Sequence, residues 1–83
     1  MDRTQALQRI SATPGICGGR PCIKGTRIAV ELVLANLGEG ISRFELLQAY
    51  PSLSDKDIDA ALAFAAELSR MTHESLPFEE PVR

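Results

Sequence analysis

The sequence predicts a mainly α-helical domain: a three-helix core with helix-turn-helix geometry behind a short N-terminal β-hairpin or strand element. Three observations predict it. Val30, Val33, Leu34 and Leu37 recur at i, i+3, i+4 and i+7, the spacing that lays one apolar stripe along a helix. Ser42 with Glu45, and Ser54 ahead of an Ala- and Leu-rich run, are helix starts separated by the turn-forming string Tyr50-Pro51-Ser52-Leu53. Upstream, Pro14, Gly15, Gly18, Gly19, Pro21 and Gly25 interrupt apolar and β-branched residues, as in short strands joined by tight turns.

Taken in order, residues 1–12 read as a short helix with Asp2 or Thr4 as N-cap and Ala6, Leu7 and Ile10 turned toward the core. The stretch that opens at Thr13 and closes at Val30 follows, and within it residues 22–28 suit an irregular hairpin or an edge strand broken at Gly25. A two-stranded ribbon alone is marginal in water, so this stretch is expected to pair, and a second copy of the chain is the expected partner. Gly38 and Gly40 stop the helix that starts at Val30. Ser42 and Glu45 form a capping box for a second, short helix with Phe44, Leu47 and Tyr50 facing inward, and Pro51 ends it. Ser54 caps a third helix that carries Ile58, Ala61, Leu62, Ala65 and Leu68 inward and runs to about Arg70. Asp55, Asp57 and Asp59 fall near its first turn, where they complement the macrodipole, and its alanines let another helix approach closely. Residues 1–70 are thus the single domain. Residues 71–83, with Pro77, Pro81, Glu74, Glu79 and Glu80 around Leu76 and Phe78, form a flexible tail.

With 83 residues the chain has room for one core, and so small a domain gains from a disulfide, a metal or a partner chain. Cys17 and Cys22, with His73 the single histidine, leave a tetrahedral zinc site incomplete, so no metal is expected. Met1 to Ile10 contains no continuous apolar run of the kind that opens a secretory signal, which makes a reducing cytoplasm the expected compartment and free Cys small buried hydrophobes. No stretch approaches the roughly 20 apolar residues of a membrane span. A partner chain, as in a homodimer through residues 13–30, is left as the source of extra stability. A net charge of −2 does not announce nucleic-acid binding, so that question turns on where the nine Lys and Arg sit.

Catalytic patterns fail one by one. A Ser or Cys nucleophile requires a base, and His73 lies beside the loose tail. Lys24-Gly25-Thr26 inverts the Gly-Lys-Ser/Thr order of a phosphate loop. The acidic groups near residues 55–59 and 79–80 read as helix-dipole and solvated-tail charges. No catalytic residue and no cofactor is therefore expected. A basic cluster remains: Arg20, Lys24 and Arg27, with Arg43 at the start of the second helix. These residues suit phosphate contact, and Lys24 and Arg27 equally suit the blunting of an exposed strand edge.

The run from Pro14 through Gly18-Gly19-Arg20-Pro21-Cys22-Ile23-Lys24-Gly25-Thr26-Arg27-Ile28, followed by Gly40-Ile41-Ser42 and Tyr50-Pro51-Ser52-Leu53, strongly resembles the family called domain of unknown function 433, over roughly residues 10–70. The resemblance implies a homeodomain-like helix-turn-helix fold. It also implies a VapB-type antitoxin of a type II toxin-antitoxin system, a homodimer that neutralises a PIN-like ribonuclease toxin and represses its own operon. In a helix-turn-helix the N-terminal residues of the second helix approach the major groove. Here they include Asp55, Asp57 and Asp59, which repel phosphates, so contact with operator DNA would fall to Arg20, Lys24, Arg27, Arg43 and Lys56. Leu76 and Phe78 would anchor the acidic tail on the toxin. The alternative is a helix-turn-helix regulatory or interaction module without a toxin.

Overall fold

The structure, a computed structural model, describes residues 1–72. The first helix, α1 (Arg3–Gln8), starts at Asp2. Its carboxylate accepts from the Gln5 backbone N–H at 2.8 Å while the Gln5 side chain accepts from the Asp2 N–H at 3.2 Å, a full capping box. Strand β1 (Ile10–Ser11) pairs antiparallel with β2 (Cys22–Ile23), in the register Ile10 with Ile23 and Ser11 with Cys22. The expected pairing of residues 13–30 is thus satisfied from within the chain. Between the strands, Cys17, Gly18 and Gly19 make a tight turn of left-handed backbone, with φ of 53°, 66° and 81°. After β2 the chain folds back on itself: the Ile23 N–H donates to the Ile28 carbonyl at 2.9 Å, and Cys22 bridges Ala29.

Helix α2 (Val30–Gly38) buries Val30 and Val33. It ends in a Schellman arrangement in which the Gly40 N–H reaches the Leu37 carbonyl and the Ile41 N–H the Asn36 carbonyl, each at 3.1 Å. That geometry requires a left-handed residue at position 40, and Gly40 has φ of 96°. Helix α3 (Arg43–Ala49) begins with the Ser42–Glu45 capping box. Its inward residue is Leu46, with Leu47 and Tyr50 partly buried. Phe44, expected inside, is 71% exposed. At 100° per residue it stands about 200° round from Leu46, and the core stripe instead runs through positions 43, 46, 47 and 50.

Helix α4 (Asp55–Thr72) is the axis of the fold, with α1, α2 and α3 all packed on it. Ile58, Ala60 and Ala61 are fully buried, and the core joins Ile58 and Ala61 to Ile23, Val30, Val33, Leu46 and Leu53. Burial of one such aliphatic side chain contributes about 1.5–3 kcal/mol. Leu62 and Leu68, expected inside, are exposed, as is Leu7 of α1. The buried stripe of α4 follows Asp57, Ile58, Ala60, Ala61 and the partly buried Phe64, which rotates Leu62 outward. The predicted helix, turn and helix are present as α3, residues 50–54 and α4, and the short helix expected within residues 1–12 is present as α1. No helix among the described residues is long and apolar enough to cross a membrane.

Candidate functional site

The predicted basic residues divide into two groups. Lys24 and Arg27 ride on the turn that follows β2, where Gly25 takes φ of 84° and the Thr26 hydroxyl donates to the Ile23 carbonyl at 2.8 Å and accepts from the Ile28 N–H at 3.0 Å. The Lys24 N–H donates to the Arg9 carbonyl at 2.8 Å, so the turn is tied to the end of α1. Both side chains are exposed, and among the described residues neither forms an ion pair. Lys56, in the first turn of α4, is likewise exposed and outside any ion pair among the described residues. It borders a polar cleft of about 570 Å³ between α1 and α4 that Gln5, Gln8, Arg9 and Asp59 also line.

Arg20 and Arg43 are engaged inside the chain. Arg20 donates to the Glu31 carboxylate of α2 at 2.8 Å. Arg43 donates to Asp59 at 2.6 Å and Asp55 at 3.2 Å, clamping the start of α3 to the first turns of α4. The Asp59 hydrogen bond is the main cause that raises the Arg43 pKa further above its ordinary value. Asp57, the third acid of that turn, is 8% exposed and points inward. It accepts from the Ser54 N–H at 3.0 Å while its own N–H donates to the Ser54 hydroxyl at 3.2 Å, and Arg9 pairs with its other oxygen at 3.0 Å. The three aspartates expected to face phosphates are therefore balanced by Arg43 and Arg9. Leu76, Phe78 and His73 lie outside the described residues.

One surface feature is not foreshadowed by the sequence motifs. Between α2 and α4 runs an apolar groove of about 490 Å³ whose floor and walls are Pro21, Val30, Leu34, Ala35, Phe64 and Leu68. The Arg20–Glu31 ion pair stands beside it. Ala61 of α4 joins Val30 and Val33 of α2 in the core, whereas Leu34 and Phe64 are only partly buried and leave apolar surface open in the groove. The signal present in the sequence is Phe64, a large aromatic set among alanines at the margin of the buried stripe. Among the described residues, no three metal-ligating side chains converge.

The family model described as protein of unknown function (DUF433) matches residues 10–65. The uncharacterized protein y4eO of Sinorhizobium fredii is 36% identical over 64 residues, covering 77% of this chain and 29% of its own length, so the chain spans less than a third of that relative. A crystal structure of a DUF433 member protein from Anabaena variabilis superposes with a TM-score of 0.70 at 36% identity, covering 87% of this chain and 72% of that one.

Proposed function

Because the chain belongs to the DUF433 family, a family of unknown function, we propose from its own surface that it is a binding module for a protein partner, acting as the antitoxin of a type II toxin-antitoxin pair. The observation that carries the protein-binding half is the apolar groove between α2 and α4. An open apolar trough beside a charged pair suits a protein side-chain anchor far better than a phosphate backbone, which seeks unpaired cations. The antitoxin half rests on the VapB-type resemblance. In that reading the partner is a PIN-like ribonuclease toxin, the groove supplies one contact, and Leu76 and Phe78 of the C-terminal segment supply another. In this reading the chain acts by binding, as a homodimer in the cytoplasm.

The test is a pull-down of the tagged full-length chain from its host, with co-purifying proteins identified by mass spectrometry. Recovery of a PIN-like nuclease, lost from a Leu34→Glu variant, supports the reading. Its recovery with equal yield from that variant but not from a chain ending at residue 70 moves the contact to the C-terminal segment. Absence of any nuclease overturns the antitoxin assignment.

A second reading, a helix-turn-helix regulatory module that binds DNA without a toxin, is favoured by one observation, the exposed Lys24, Arg27 and Lys56 outside any ion pair among the described residues. Binding to duplex DNA that falls steeply with salt and weakens in the Lys24→Ala variant supports it.

A further inference from the structure

The two thiols of the glycine-rich loop come together, and nothing in the binding reading uses them. Cys17 is the one non-glycine residue with positive φ among those described, at 53°, a conformation that side chains enter only when the surroundings hold them there. Its sulfur holds it: Cys17 Sγ donates to the Arg27 carbonyl at 3.3 Å. Cys22 Sγ donates to the adjacent carbonyl, that of Thr26, at 3.7 Å. Two consecutive carbonyls, those of Thr26 and Arg27, thus gather both sulfurs at one stretch of backbone. Access differs between them: Cys22 is 1% exposed on β2, whereas Cys17 is half-buried at the outer edge of the loop. An accessible thiol in front of a buried one is the arrangement in which the first is attacked from solution and the second resolves the adduct.

We propose that Cys17 and Cys22 are a redox pair that closes to an intramolecular disulfide in the presence of a small-molecule disulfide such as oxidised glutathione. The Cys17 thiolate attacks one sulfur of the glutathione disulfide, whose S–S bond breaks and releases one glutathione thiolate. The Cys22 thiolate then attacks the Cys17 sulfur, breaking the mixed disulfide and releasing the second. The two protons lost by the cysteines end on the two reduced glutathiones, and the two electrons given up by the pair reduce the glutathione disulfide. Burial raises the Cys17 pKa, with Cys22 adding to the shift and Arg20 and Arg27 opposing it, so the first step quickens as pH rises. Closure removes both thiol donors from the Thr26 and Arg27 carbonyls and re-forms the loop that carries Arg20, Lys24 and Arg27.

The experiment treats the folded full-length chain with excess oxidised glutathione, then quenches with acid and reads intact mass and peptide map. The expected product is a monomer lighter by two hydrogens, with both free thiols lost, Cys17 joined to Cys22, and full reversal by dithiothreitol. In the Cys22→Ser variant the mixed disulfide on Cys17 is expected to accumulate unresolved. A stable glutathione adduct on wild-type Cys17, a disulfide-linked dimer, or two thiols left free in the folded chain while the urea-unfolded chain reacts would each overturn the proposal.

Discussion

Arg9 and Asp57, 48 residues apart in sequence, meet at 3.0 Å at the junction of α1 and α4. The Asp57 side chain is nearly covered, and its other oxygen completes the capping box with Ser54. One carboxylate therefore starts the longest helix and fastens the N-terminal helix to it. Removing it takes away a cap and leaves the Arg9 guanidinium and the Ser54 N–H without their acceptor. The Asp57→Ala variant is expected to lose about 2–3 kcal/mol of stability. Asp57→Asn keeps an acceptor for the Ser54 N–H and is expected to lose less. Urea denaturation checks both, and a cycle with Arg9→Ala isolates the coupling; a value near zero for Asp57→Ala would mean that neither the cap nor the tie between α1 and α4 stabilises the fold.

Two glycines with open space around them separate conformation from packing. A Cβ at Gly25 or Gly38 would meet nothing within 4 Å, yet Gly25 has φ of 84° and Gly38 sits in helical backbone. Gly25→Ala is expected to destabilise by about 1–2 kcal/mol, the cost of forcing a side chain into the left-handed region. Gly38→Ala is expected to stabilise by about 0.5–1 kcal/mol by restricting the unfolded chain. Thermal melts of the two variants should move in opposite directions, and movement in the same direction would contradict the assignment of Gly25 to a strained turn.

The helix starts were legible because capping is written in nearby residues: Ser42 with Glu45 and Ser54 begin helices where the sequence placed them, and of the two caps it offered for α1, Asp2 and Thr4, the structure uses Asp2. The Val30–Leu37 stripe was legible for the same local reason. The facing of short helices was less so. Seven residues make two turns, and Phe44, Leu47 and Tyr50 fit a helical stripe about as well as Arg43, Leu46 and Leu47 until a neighbouring helix decides between them. Pairing at long range was not legible at all. Nothing near Ile23 says that its partner is Ile10, and nothing near Asp57 says that Arg9 will reach it. Sequence proximity groups Arg20, Lys24 and Arg27 with Arg43, whereas the fold pairs Arg20 with Glu31 and Arg43 with two aspartates.

The α3 cap carries a pH dependence whose sign follows from its geometry. Hydrogen bonds from the Ser42 backbone N–H and from its hydroxyl hold the Glu45 pKa below its ordinary value of 4.5. A carboxylate depressed in the folded state contributes stability that is present above the unfolded value and is lost as pH falls through the folded one. Melting temperature is expected to fall as pH drops below about 4.5, and part of that fall should disappear in Glu45→Gln, which keeps the acceptor and loses the titration. Melts of the two proteins in parallel between pH 3 and pH 6, ~0.5 apart, read the difference directly. Identical profiles would assign the acid limb to other carboxylates.

Arg43 distinguishes a clamp from a phosphate contact. Its two ion pairs are substantially exposed, so screening discounts them, and Arg43→Ala is expected to cost only about 0.5–1 kcal/mol, less at high salt. Lys24→Ala and Arg27→Ala break no ion pair among the described residues and should leave stability unchanged within about 0.5 kcal/mol. If the chain binds duplex DNA, these two variants should each lower the slope of log affinity against log salt by about 1, whereas Arg43→Ala should change affinity only as far as it loosens α3 from α4. Equal reductions of the slope by all three would mean that the arginine leaves its aspartates for phosphate, and that the charge balance at the start of α4 is a resting state rather than a lock.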